Sequence, residues 1–95
     1  MIFNQEEFGS RIRTLRKRMG YTQERLCSDL QIGIDHLKKI ERGSRGCSLE
    51  LLVKLSMVLG VSTDFLLTGK NFDNHLKERL ENLQGILSEL IQELP

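Results

Sequence analysis

The stretch Tyr21–Gly43, YTQERLCSDLQIGIDHLKKIERG, decides the fold of this chain, because it encodes two short helices joined by a tight turn. Thr22 stands where it can accept from the first free N–H groups of a helix, and Tyr21 before it can staple onto Leu26. Leu26 and Leu30 then recur at helical spacing. After the turn, Gly33 sits at the cap of the next helix, Ile32 can staple onto Leu37, and Leu37 with Ile40 forms a narrow apolar stripe that ends at Gly43. A wheel that buries Leu37 and Ile40 points Asp35, Lys38, Lys39 and Arg42 outward, with Ile34 and His36 on the flanks.

Helix punctuation continues in both directions. Toward the N-terminus, Asn4 with Glu7 makes a capping pair and Phe3 can staple onto Phe8. Phe8, Ile12, Leu15 and Met19 form one apolar face before Gly20 stops that first helix. Toward the C-terminus, Ser48 begins a fourth helix with Leu52, Leu55 and Leu59 inward and Gly60 at its end. Ser62 begins a short fifth, with Val61 stapling onto Leu66. No alternating pattern of strand type competes, so the expected fold class is all-α.

Two helices at a tight turn with a polar outward face read as a helix-turn-helix, in which one helix crosses a nucleic-acid backbone and the other enters the major groove. From about Phe8 to Gly69 the chain resembles the lambda-repressor, Cro and phage 434 repressor type of helix-turn-helix, the XRE family. The resemblance lies in RIRTLRKRMGYTQERL, the turn, and LKKIERGSRGCSLELLVKLSMVLGVSTDFLLTG. It implies a five-helix lambda-repressor-like DNA-binding bundle, usually dimeric on a two-fold-related operator. Gln23 matches a glutamine that touches phosphate, and Arg16 and Glu41 match a buried ion pair tying the first helix to the third. Four positions depart from the family pattern: Gln31 stands where glycine is common, Gly33 replaces a Ser or Thr cap, Ile34 replaces a base-reading glutamine, and Cys47 replaces a proline. These departures leave the target sequence open.

On this reading double-stranded DNA is the partner. Ile34, Asp35, His36, Lys38 and Lys39 are the candidates for base edges, while Thr22, Gln23, Arg42, Ser44 and Arg45 are the candidates for phosphate. Lysine suits guanine acceptors or phosphate, aspartate suits a cytosine amino group, and Ile34 can offer only apolar contact, for instance to a thymine methyl. The formal net charge of +1 divides unevenly: residues 1–70 carry twelve Lys and Arg against eight Asp and Glu, and residues 71–95 carry two against five. The basic excess therefore belongs to the DNA-binding part. Within it, Arg11, Arg13, Arg16, Lys17 and Arg18 cluster on the first helix, where a solvated face is an equally good account.

The tail is a second, independent signal. Leu76, Leu80, Leu83, Leu87, Leu90 and Leu94 alternate spacings of four and three, a heptad seam with leucine at every a and d position. A helix from near Asp73 would run about 33 Å. Ile86 and Ile91 fall at g and e, so the apolar face widens and suits an antiparallel pair, a small bundle, or packing back on the globular part. The expected division is a DNA-binding domain over 1–69 and an oligomerisation helix over 70–95 that makes a homodimer. The competing reading is a sixth core helix of a monomer. At 95 residues the chain buries roughly 60 to 65% of its unfolded surface, which leaves a partner something to add.

Catalysis finds no support. Cys27 and Cys47 lack CxxC spacing and form no zinc pattern with His36 and His75, and there is no glycine-rich phosphate loop. The expectation is no enzyme, no metal and no cofactor, with Cys27 a buried structural thiol. The start MIFNQEEF is acidic and no apolar run is long enough to span a bilayer, so a cytoplasmic location follows. Any effector ligand stays unread. The resulting reading is a dimeric, sequence-specific transcriptional regulator, most naturally a repressor. The alternative is a protein-interaction module, such as an antitoxin or accessory factor, acting through its leucine tail.

Overall fold

Asn4, Thr22, Ser48 and Ser62 each accept from the backbone N–H three residues on, at 3.0, 3.0, 3.1 and 3.0 Å. These four caps fix where helices begin. The computed structural model describes residues 3–71 and 74–94, with the side chains of 74–76 left aside. Its helices are α1 Gln5–Arg18, α2 Gln23–Leu30, α3 Ile34–Arg42, α4 Leu49–Leu59, α5 Thr63–Thr68 and α6 Asn74–Gln92, with no strand among the described residues. Gly43, Gly60 and Gly69 end α3, α4 and α5 in the left-handed conformation. At the end of α2 that conformation falls to Gln31, with φ 58° and ψ 46°. Its N–H reaches the carbonyls of Cys27 and Ser28, so a Schellman-type ending is kept without glycine.

The first five helices enclose one core. Phe8 and Ile12 of α1 meet Leu26 and Leu30 of α2, Leu37 and Ile40 of α3, Leu51, Leu52, Leu55 and Leu59 of α4, and Leu66 of α5. The rings of Phe3 and Phe8 lie 5.5 Å apart, edge to face. Met19 departs from the apolar face assigned to it: it caps α1 just before the chain turns at Gly20, and its side chain is 39% exposed. Leu51, not anticipated, is buried beside Leu52.

Two contacts set the angle of α1. Arg11 donates through Nε and Nη2 to the carbonyls of Leu66 and Leu67, at 2.8 and 3.0 Å, and so ties α1 to the last turn of α5. Gly9 lies where α1 crosses α3. A Cβ there would overlap the Ile40 carbonyl oxygen and stand 2.8 Å from that of Glu41. Gly9→Ala should therefore push the two helices apart at a cost of about 1–3 kcal/mol, read as a lower urea midpoint. An unchanged midpoint would show that the crossing is loose.

Outside the core, α4 leaves Leu49, Val53 and Met57 exposed as a stripe. All described side chains of α6 are exposed, including Leu80, Leu83, Ile86, Leu87, Leu90 and Ile91. The helix is shorter than its leucine seam. It ends at Gln92, so Leu94 lies beyond it, although the Glu93 N–H still bonds the Glu89 carbonyl. The side chain of Leu76, the first leucine of the seam, lies outside the described residues. No helix among the described residues is long and apolar enough to cross a membrane.

Candidate nucleic-acid interface

Helix α3 is held from behind by Leu37 and Ile40, both fully buried, and by the flanking Ile34, which is half-buried against the core. Asp35, Lys38, Lys39 and Arg42 are exposed on the opposite side. Ile34 therefore has only part of its side chain free for a base. Gly33 offers α3 no side-chain cap, which leaves the first N–H groups of that helix open.

Beneath the cationic stripe lies a buried polar network. Arg16 grips Glu41 through two bonds, Nε to Oε2 at 2.8 Å and Nη2 to Oε1 at 3.1 Å, and its Nη1 donates to the Tyr21 carbonyl at 2.9 Å. Gln23 adds a bond from Nε2 to Glu41 Oε1 at 3.2 Å. One carboxylate thus joins α1, α2 and α3, and fixes the pose of α3 relative to the helix before it. No buried side-chain donor or acceptor is left without a partner among the described residues. The Gln23 amide keeps one N–H free, since its other is committed to Glu41.

Above this network, Arg13, Gln23, Lys38 and Arg42 line an open hollow of about 490 Å³ where the three helices meet. Among the described residues, no carboxylate comes within ion-pairing distance of Arg13, Lys38, Lys39, Arg42 or Arg45. The first-helix basic cluster thereby divides. Arg11 and Arg16 are structural clamps, whereas Arg13 joins the cationic mouth and was not singled out from the sequence. Its spacing of three from Arg16 placed both on one side of α1, but only the crossing of α1 over α3 brings it to Lys38.

The remaining candidates fall around this centre. Thr22 has its hydroxyl oxygen on the Arg25 N–H, and the Ser44 hydroxyl donates to the Lys39 carbonyl at 3.2 Å, so both chiefly terminate helices. Arg45 is exposed just beyond α3. His36 turns toward the other side, into a cleft shared with Gln31, Glu50 and Lys54. Desolvation first, then the Arg45 and Lys39 charges, lower its pKa from the ordinary histidine value. The folded chain accepts a proton there less readily than the unfolded one, so this group's contribution to stability is present above the unfolded pKa and lost as pH falls through the folded one. DNA phosphates reverse the field. If His36 reaches DNA, affinity should rise as the solution goes from about pH 7.5 to about pH 5.5, and His36→Ala should flatten the profile. A flat profile in the parent chain would leave His36 in the α4 cleft.

The cysteines do not join this surface. Cys27 is buried with Sγ 3.7 Å from the Gly33 carbonyl oxygen, and burial, then the charges of Glu24 and Glu41, push its pKa up. Burial likewise raises that of Cys47. Among the described residues no group of His, Cys, Asp and Glu could hold a metal ion.

A helix pair at a tight turn, its second member braced below and cationic outside, on a five-helix core, defines a lambda-repressor-like helix-turn-helix protein. The chain belongs to the XRE-type helix-turn-helix family, whose model, described as helix-turn-helix, matches residues 12–66. It is 38% identical over 81 residues to the SPbeta prophage-derived HTH-type transcriptional regulator YonR of Bacillus subtilis, a match covering 85% of this chain and 75% of that protein. Among solved structures it is similar to the P22 c2 repressor in complex with a synthetic operator, with a TM-score of 0.64 and 32% identity over 66% of this chain and 96% of that one. It is also similar to a chain of a SinR protein/SinI protein complex, with a TM-score of 0.63 and 26% identity over 90% of this chain and 91% of that one.

Proposed function

We propose that this chain is a DNA-binding transcriptional repressor that acts as a homodimer, with α3 in the major groove and Arg13, Arg42 and Arg45 on the flanking phosphates. The observation that carries this reading is the cationic mouth of Arg13, Lys38 and Arg42, free of carboxylate partners and set over the bonded network that orients α3. The cations attract any duplex through counterion release, and the fixed pose of α3 converts that attraction into sequence preference. Lys38 and Lys39 suit guanine acceptors, and Asp35 about one turn before them suits a cytosine amino group while repelling phosphate. The basic segment 1–69 and the leucine-rich segment 70–95 divide the work between DNA and self-association. An enzymatic role has no place in this reading.

Selection of bound fragments from a random duplex pool tests binding, preference and site symmetry together. Recovery of an inverted repeat with half-sites about 34 Å apart is the expected result. Lys38→Ala should weaken the selected site by about 1–3 kcal/mol, and if the lysine reads a base it should spare random duplex. Equal losses on both would move Lys38 to a phosphate. No loss on either would remove α3 from the groove.

A second reading has one observation in its favour. The likeness to a chain of the SinR protein/SinI protein complex covers 90% of this chain and so reaches past the bundle into α6, whose exposed apolar row suits a second, different protein. Such a partner would compete for the face that pairs two copies.

A further inference from the structure

We propose that α6 pairs with α6 of a second copy in antiparallel sense, about a two-fold axis passing near Gly85. The inference rests on the homodimer reading above and specifies its geometry. Leu80, Leu83, Leu87 and Leu90 are each more than half exposed, an apolar row that a lone helix cannot keep in water. In the heptad register Leu80 and Leu87 are a positions, and Leu83 and Leu90 are d positions. An antiparallel pair stacks a on d. Leu83 and Leu87 lie two residues either side of Gly85, and Leu80 and Leu90 lie five either side, so every described leucine of the helix meets a leucine.

The charges at the flanking positions choose between the two senses. At the g positions stand Arg79, Ile86 and Glu93, spaced by seven. Side chains lean toward the N-terminus of their own helix, so antiparallel g residues meet about an axis displaced by one residue, at Ile86. Ile86 then faces its own copy, and Arg79 faces Glu93 of the second copy at both ends. A parallel pair would set Ile86 against Ile91, but it would also set Arg79 against Gln84 and leave Glu93 without a cation. From residue 84 on, the segment carries Glu89 and, just past the helix end, Glu93, with no Lys or Arg, whereas Lys77 and Arg79 stand in the N-terminal part beside Glu78 and Glu81. Antiparallel pairing brings these opposite ends together, and parallel pairing sets acidic end beside acidic end.

The sense also fits the duplex. With the axis at Gly85, eleven residues from the start of α6 at Asn74, antiparallel neighbours put their N-terminal ends, where the bundles attach, about 33 Å apart. Half-sites on one face of DNA recur every ~34 Å. Parallel neighbours would hold the two attachment points at helix-packing distance, about 8–10 Å. The two-fold axis of the antiparallel pair lies between the two attachment points, so it can coincide with the dyad of an inverted repeat.

Disulfide trapping in the full chain, with Cys27→Ala and Cys47→Ser removing the native thiols, tests the geometry. Arg79→Cys and Glu93→Cys chains mixed in equal amounts should form a mixed disulfide under mild oxidation, while Leu90→Cys alone should not couple to itself. Self-coupling of Leu90→Cys without the mixed product would establish a parallel pair and overturn the proposal. A second test keeps the native cysteines. Arg79→Glu should weaken the dimer about tenfold by opposing Glu93, and adding Glu93→Arg should restore it. No restoration in a chain that is still dimeric overturns the antiparallel register and leaves the dimer reading intact. A parent chain with the mass of one copy at micromolar concentration overturns both. DNA binding by that monomer would keep the α3 assignment separate from either failure.

Discussion

Glu41→Ala is expected to destabilise the fold by about 3–5 kcal/mol, because it leaves the Arg16 guanidinium buried with no counter-charge. Both side chains are nearly closed off from solvent, at 9% and 3% exposed, so water cannot take the place of the lost carboxylate. The same substitution releases the Gln23 amide and the three-way joint of α1, α2 and α3. For a small domain a loss of that size approaches the whole stability, so the thermal midpoint should fall steeply. The informative comparison is the double replacement Arg16→Met with Glu41→Leu, which fills the space with apolar groups and should recover most of the midpoint. If it does, and DNA affinity still falls, the ion pair serves the orientation of α3 more than the stability of the bundle. A shift below about 1 kcal/mol for Glu41→Ala would mean that solvent reaches Arg16 after all.

Leu83→Asp with Leu87→Asp should leave the bundle folded and separate the copies. Both leucines are exposed on α6, at 55% and 58%, so a single copy loses no core packing when they change. In the dimer they would set carboxylates against one another at the centre of the seam. Loss of the second binding module removes the effective concentration it supplies, and operator affinity should fall roughly 10²–10⁴-fold. Sedimentation gives the mass, and anisotropy titration at fixed salt gives the affinity. A double variant that remains dimeric would transfer self-association to the Leu49, Val53 and Met57 stripe on α4, the other exposed apolar row of the described chain.

The residues differ in how far they could be read without coordinates. Asn4, Thr22, Ser48 and Ser62 were legible because a cap is a local event between a side chain and a backbone N–H three residues away. The burial of Leu37 and Ile40 was legible because helical period sets one face. The split in the first-helix arginines was not legible from spacing, and only the Arg16–Glu41 pair was anticipated, through the family resemblance. Arg11 reaches carbonyls more than fifty residues on, Arg16 a carboxylate twenty-five residues on, and Arg13 a hollow made by α1 and α3 together. Gly9 looked like any helical glycine until a carbonyl of another helix lay against it.

His36 shows the same limit at the interface: the wheel puts it on a flank, and only the position of α4 makes that flank a cleft. By itself, then, the sequence determined the helices, their caps and apolar faces, the basic outward side of α3 and the leucine register of the tail. All of these depend on spacings of three, four or seven along one chain. Tertiary structure alone decided that Arg11 holds the bundle while Arg13 stands free beside Lys38. That choice depends on which helix lies across another, and the crossing is set by the packing of the whole core.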